Sequence, residues 1–268
     1  DQQIAHMVLK VLGPKTMVSL PACCWSIIAG PFPQSSLKVP LYHTAFETAA
    51  ALASGIRAGL DARGDTDTTV LAWAGDGATI DIGLQSLSGA MERGDRIIYV
   101  CYDNEAYMNT GIQASGSTPF AAATTTTPGG KQTVRKDMMQ IVAAHHIPYA
   151  ATCSIAHLED MVKKVERAKT CGGTAYLQVL ATCATGWFFE ADQSIDLARL
   201  AVQTLVWPLY EIIDGTQYRV TQKVSKPRPV GDYLKPQGRF SNVTEQQLAK
   251  LQQQVELDYA QLVRRAQA

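Results

Sequence analysis

What the chain lacks narrows its functions first. It has no surplus of charge, with 24 Lys and Arg against 24 Asp and Glu, so bulk electrostatics give no reason to expect a nucleic-acid partner. No apolar run approaches the roughly 20 residues that span a bilayer, and the opening residues do not read as a signal peptide. Six cysteines in 268 residues are too sparse for a secreted disulfide framework. Together these absences set the expectation of a cytoplasmic, reducing location without a membrane partner. No Gly-Lys-Ser/Thr follows a glycine turn and no Gly-x-Gly-x-x-Gly occurs, which excludes a Walker A loop and a dinucleotide fingerprint. A Cys-x-x-Cys pair is absent as well.

What is there suits one α/β domain with a substantial core: 46% of the residues are hydrophobic. The most informative stretch is 70–111. Residues 70–74 are a short apolar run ending at Gly75-Asp76-Gly77. Residues 81–93 have helical spacing through Ile82, Leu84, Leu87, Ala90 and Met91, and 96–102 are a second apolar run rich in β-branched and aromatic residues. That alternation predicts a βαβ unit with parallel strands. Ligands of such sheets sit at the carboxyl ends of the strands, where Gly75-Asp76-Gly77 and Asp103-Asn104-Glu105 both fall. Gly75 and Gly77 are expected to let the backbone turn sharply and bring N–H groups close to an anion, and a following helix points its positive end there. Asp76 and Asn104 add hard oxygens one crossover apart. Mg²⁺ is usually held by one or two such side chains together with phosphate oxygens and water, so the stretch describes a Mg²⁺-bridged diphosphate site.

A glycine-aspartate-glycine turn followed by helix, strand and Asn resembles the thiamine diphosphate motif. The longer wording, GDGATIDIGLQSLSGAMERG followed by CYDNEAYMNTGIQ, with TTTTPGGK at 124–131 and ATGWFF at 184–189, resembles the β subunit of pyruvate and related 2-oxoacid:ferredoxin oxidoreductases over nearly the whole chain. The resemblance implies a doubly wound, mainly parallel sheet of the diphosphate-binding type. It implies that Gly75, Asp76, Gly77 and Ala78 form the cofactor turn, that Asp76, Asn104 and the Ala106 carbonyl hold Mg²⁺, and that Asn109 and Thr110 approach the diphosphate or thiazolium. The glutamate that activates the cofactor is expected from a partner subunit carrying the pyrimidine-binding domain, so Glu47 reads as an ordinary helix carboxylate. Glu105 reads as a solvent-facing or inter-subunit charge.

The resemblance also makes Cys24 and Cys183 ligands of a [4Fe–4S] cluster. Such a cluster normally takes four thiolates, and the other two would form a Cys-x-x-Cys pair that family spacing puts just before Asp1. Truncation of the chain is the favoured reading, loss of the cluster the other. Cys23, Cys101, Cys153 and Cys171 read as packing residues. Where many relatives carry Arg after Gly-Ile-Gln, this chain has Ala114, which leaves substrate and partner details open.

Elsewhere the pattern predicts helices over 2–12, 43–58, 133–144, 157–169 and 243–266. It predicts strands over 16–20, 149–152 and 175–181, and a small hairpin over 210–220 turning at Asp214-Gly215. Residues 113–131 lack a repeating apolar pattern and read as a loop over the cofactor or a subunit contact. The expected organisation is a cofactor-binding α/β domain over 1–206, and a C-terminal hairpin, Pro-rich segment and helix over 207–268 packed on that domain or a partner. The expected activity is oxidative decarboxylation of a 2-oxoacid such as pyruvate or oxalate. Electrons would pass through the cluster to ferredoxin, by way of a ferredoxin-like cluster subunit, and coenzyme A would usually take the acyl group. A non-redox thiamine-dependent decarboxylase or carboligase, and a non-catalytic scaffold subunit, are the alternatives.

Overall fold

In a parallel sheet covered on both faces, strands are apolar throughout and successive side chains serve opposite cores. The computed structural model, which describes residues 2–267, has that arrangement. Strands β1 (Thr16–Pro21), β2 (Leu41–Thr44), β3 (Thr69–Gly75), β4 (Ile98–Asp103), β5 (Tyr149–Ser154) and β6 (Ala175–Leu180) run parallel. Every residue of β4, β5 and β6 is buried. Leu71, Trp73, Val100, Tyr102, Leu177 and Val179 enter one core, whereas Val70, Ala72, Ala74, Tyr99, Cys101 and Tyr176 enter the other. Strands β7 (Tyr210–Ile213) and β8 (Gln217–Val220) add an antiparallel hairpin, giving the order β2-β1-β3-β4-β6-β5-β7-β8.

The helices are α1 (Gln2–Leu12), α2 (Cys24–Ala29), α3 (Ala49–Ala62), α4 (Leu84–Arg93), α5 (Met138–Ala143) and α6 (Leu158–Thr170). They continue with α7 (Ala184–Trp187), α8 (Ser194–Gln203), α9 (Val230–Leu234) and α10 (Glu245–Arg265). α1 packs on α6 over one face of the sheet, and α3 packs on α4 over the other. α6 shows why such a segment is helical. Met161, Val165 and Ala168 form its buried stripe, Glu159 and Asp160 sit in its first turn, and Arg167 and Lys169 in its last, the charge order that the helix dipole favours. None of the described helices is long and apolar enough to cross a membrane.

Three expected boundaries move. The segment expected as a helix over 43–58 begins as strand, because Leu20 and Pro21 pair with His43 and Thr44 at the sheet edge, and α3 starts only at Ala49. The helix expected over 81–93 is preceded by a separate wide turn at Gly77–Asp81, closed by Ile82 N–H donating to Gly77 O at 3.3 Å. Gly83 separates the two, since a methyl there would strike the Ala78 carbonyl. Over 133–144 only α5 is helical. Asp137 accepts from Gln140 N–H at 3.1 Å as its cap, and the residues before it are irregular.

The hairpin joins the sheet through β7, which pairs with β5, and a buried carboxylate reinforces that joint. Tyr149 donates to Glu211 Oε2 at 2.9 Å, and Arg167 of α6 bonds the other oxygen. Glu211→Ala is expected to cost about 1–3 kcal/mol in urea unfolding, because it strands the buried Tyr149 hydroxyl. An unchanged midpoint would show that the hairpin adds nothing to the stability of the sheet.

Candidate cofactor site at the carboxyl edge of the sheet

Strands β3 and β4 are neighbours, with Gly75 opposite Tyr102, so the residues that follow them meet. Asp76 is fully buried. Its Oδ2 accepts from Ser115 Oγ at 2.5 Å, and its Oδ1 lies 2.9 Å from the Asn104 side-chain amide. The same amide atom lies 3.0 Å from the Ala106 carbonyl oxygen. With the amide oxygen inward, three oxygens meet with no proton between them; with the nitrogen inward, the amide donates to both. The spacings match the edge of an oxygen octahedron around Mg²⁺, about 2.8–3.0 Å for bonds of about 2.0–2.1 Å. Burial, and then the charge of Asp103, push the Asp76 carboxyl well above the usual carboxylate range. A divalent cation would reverse that, so the oxygen set fits Mg²⁺.

Asp103 lies beside this group but is already saturated. Its Oδ1 accepts from Glu105 N–H at 3.0 Å, and its Oδ2 from Ser117 Oγ at 2.5 Å and Gln178 Nε2 at 2.7 Å. Burial, then the Glu105 charge, raise it to about 6. Glu105, expected to face solvent or a partner, is instead fully buried. Its carboxylate accepts from Arg239 Nη2 at 2.6 Å and faces Arg135 at 3.4 Å. The expectation failed because the cation that buries Glu105 lies 134 positions downstream.

Neither Gly75 nor Gly77 has a positive φ, so the sharp turn expected of these glycines is not what requires them. Gly77 is required by close approach, since a methyl group there would overlap the Tyr107 ring. Tyr107 in turn donates to Asp81 Oδ2 at 2.7 Å, which also accepts from Gly116 N–H at 2.9 Å, and Lys136 pairs with Asp81 Oδ1 at 2.6 Å. Lys131 donates to the carbonyls of Ser115 and Thr118 at 3.0 and 2.8 Å, pinning the 113–131 segment over the site. Ala78 is buried in the turn, whereas Asn109 and Thr110 lie exposed at the rim, Thr110 bonded to Gln113 at 2.6 Å. Ser115, Ser117, Gln178, Trp187 and Arg239 were not singled out from sequence. The signals on offer were the ATGWFF run, which holds Trp187, and the Ser-Gly-Ser run at 115–117.

Cys24 and Cys183 are half-buried free thiols at the same rim. Cys24 opens α2, and burial, then the neighbouring Cys183, Cys23 and Asp76, push its thiol up to about 11. Cys183 caps α7, its sulfur accepting from Gly186 N–H at 3.4 Å. Cys23, Cys101 and Cys153 are buried, and Cys171 is half-buried at the end of α6. No group of three or more His, Cys, Asp or Glu side chains able to hold a metal occurs among the described residues. Two thiols do not compose a four-thiolate cluster, and the Cys-x-x-Cys expected ahead of Asp1 lies outside the described residues.

Residues 24–179 match the family model described as thiamine pyrophosphate enzyme, C-terminal TPP binding domain. The chain is 50% identical over 256 residues to pyruvate synthase subunit PorB of Methanothermobacter thermautotrophicus, covering 94% of this chain and 88% of that protein. It is 48% identical over 272 residues to ketoisovalerate oxidoreductase subunit VorB of Pyrococcus horikoshii, covering 97% and 87%. A solved 2-oxoglutarate:ferredoxin oxidoreductase from Magnetococcus marinus is similar in fold, with a TM-score of 0.59 and 20% identity over 73% of each chain.

The Gly77 contact is testable by a double-mutant cycle. Gly77→Ala is expected to cost about 1–3 kcal/mol in urea unfolding through overpacking. In a Tyr107→Ala background the same change should cost less than about 0.5 kcal/mol, because the clashing ring is gone. Equal costs in both backgrounds would show that Tyr107 is not what demands glycine.

Proposed function

The chain belongs to the thiamine pyrophosphate enzymes, as a β subunit of the PorB and VorB kind in the 2-oxoacid:ferredoxin oxidoreductases, and from that premise we propose that it holds thiamine diphosphate through Mg²⁺ for oxidative decarboxylation of a 2-oxoacid. The observation that carries the reading is the meeting of Asp76 Oδ1, the Asn104 amide and the Ala106 carbonyl within 3.0 Å. Those three groups hold the cation, and the Gly75–Ala78 turn receives the diphosphate. Asn109 and Thr110, at the exposed rim, approach the diphosphate or thiazolium. When bound, thiamine diphosphate supplies a nucleophilic carbon and an electron sink for loss of carbon dioxide. The protein's part is to anchor and orient: Ser115 holds the second oxygen of Asp76, so the first points at the cation.

The substrate is a 2-oxoacid of the pyruvate class, branched-chain oxoacids and oxalate included, and coenzyme A takes the acyl group where one remains. Electrons leave toward ferredoxin, and partner subunits complete the site with the activating glutamate. Cys24 and Cys183 are proposed as two thiolate ligands of a [4Fe–4S] cluster, which needs two cysteines more than the described residues bring together. A scaffold role is disfavoured by the intact oxygen set, and a non-redox role by the pair of half-exposed thiols on the cofactor rim.

In the purified native complex, Asp76→Ala is expected to abolish Mg²⁺-dependent retention of thiamine diphosphate in equilibrium dialysis, because it removes the anionic oxygen from the set. Undiminished retention would overturn the assignment. Under anaerobic conditions, one 2-oxoacid from a panel should drive viologen reduction by the native complex. Carbon dioxide release without dye reduction would point to a non-redox thiamine enzyme. Cys24→Ser and Cys183→Ser should each diminish the low-temperature EPR signal of the reduced cluster, and a full signal in both variants would remove them as ligands.

A further inference from the structure

The metal-facing turn is braced from behind by residues far away in sequence. The Asn104 carbonyl accepts the Trp187 indole N–H at 2.8 Å. The Arg239 guanidinium lies over the Trp187 ring, 3.8 Å from its centroid, and donates to Glu105 Oε2 at 2.6 Å. Its Nε donates to Gln237 Oε1 at 2.8 Å. All three of Trp187, Glu105 and Arg239 are at most 2% exposed.

Glu105 sits between the two metal-facing residues, and its φ of +63° is in the left-handed region that side chains other than glycine seldom adopt. Such a conformation persists only where surrounding contacts over-determine it. Asp103 holds the Glu105 N–H on one side and Arg239 holds the carboxylate on the other. A buried ion pair is weak evidence for stability as such, and its best-attested use is to select one conformation.

We propose that Arg239, acting through Glu105 and Trp187, is a positioning residue that keeps the Asn104 and Ala106 oxygens aimed at the cation, so that the C-terminal arm tunes metal affinity at the cofactor turn. This rests on the Mg²⁺ reading above. Residues that orient metal ligands from behind typically carry about 10- to 100-fold in metal affinity.

Two mild variants test it in the native complex stripped of cofactor. Trp187→Phe keeps a ring beneath the guanidinium but removes the indole N–H. Arg239→Lys keeps the charge but loses the planar stack. With thiamine diphosphate held constant and Mg²⁺ varied, each should raise the Mg²⁺ concentration for half-maximal cofactor retention by about 10-fold or more. The plateau at high Mg²⁺ should match that of the native complex. Arg219→Ala, an exposed site on β8, should leave the curve in place. Curves for both variants that overlie the native one would overturn the inference while leaving the Mg²⁺ site standing, as would a lowered plateau with an unmoved midpoint. Native complex that retains the cofactor without any divalent cation would overturn the Mg²⁺ reading, and this inference with it.

Discussion

Three carboxylates, Asp76, Asp103 and Glu105, are buried at the adjoining carboxyl ends of β3 and β4. Ionised groups do not stay buried without compensation, and the local architecture follows from how each is compensated. Glu105 has two arginines, and Asp103 has two side-chain donors and a backbone N–H. Asp76 has a serine hydroxyl and an amide, and no cation from the protein among the described residues. Asp76 is the acid whose Oδ1 meets the Asn104 amide, which in turn meets the Ala106 carbonyl. That contrast is what the proposed metal site rests on: two of the acids are compensated within the protein, and Asp76 has no protein cation among the described residues.

The same compensation explains why segments far apart in sequence belong to one site. Ser115, Ser117 and Lys131 bring the 113–131 segment down onto Asp76 and Asp103. Trp187 ends the short α7 that comes after β6, and Arg239 lies in the C-terminal arm. Met108 is held close to Gly186, where any side chain would collide with its sulfur. The arm is therefore integral to the cofactor edge as well as to the sheet, which β7 and β8 extend.

Much of this was legible in the residues. The strands were readable because their apolar runs serve two cores at once, and the Asp76–Asn104 relation because a βαβ crossover brings adjacent carboxyl ends together. Strand β2 was hidden because four residues of edge pairing precede a strongly helical run. The fate of Glu105 could not be read locally, since nothing near it in sequence indicates that Arg239 enters the core. What makes a side chain at Gly77 collide was not legible: it is a tyrosine ring, which spacing alone does not reveal.

The most direct test of the metal assignment is anomalous diffraction from crystals of the native complex loaded with thiamine diphosphate and Mn²⁺ in place of Mg²⁺. The account predicts one strong peak within about 2.0–2.3 Å of Asp76 Oδ1, the Asn104 side-chain oxygen and the Ala106 carbonyl, with Asp103 outside bonding distance. A peak bound to Asp103, or no peak at this turn while the cofactor is in place, would contradict it.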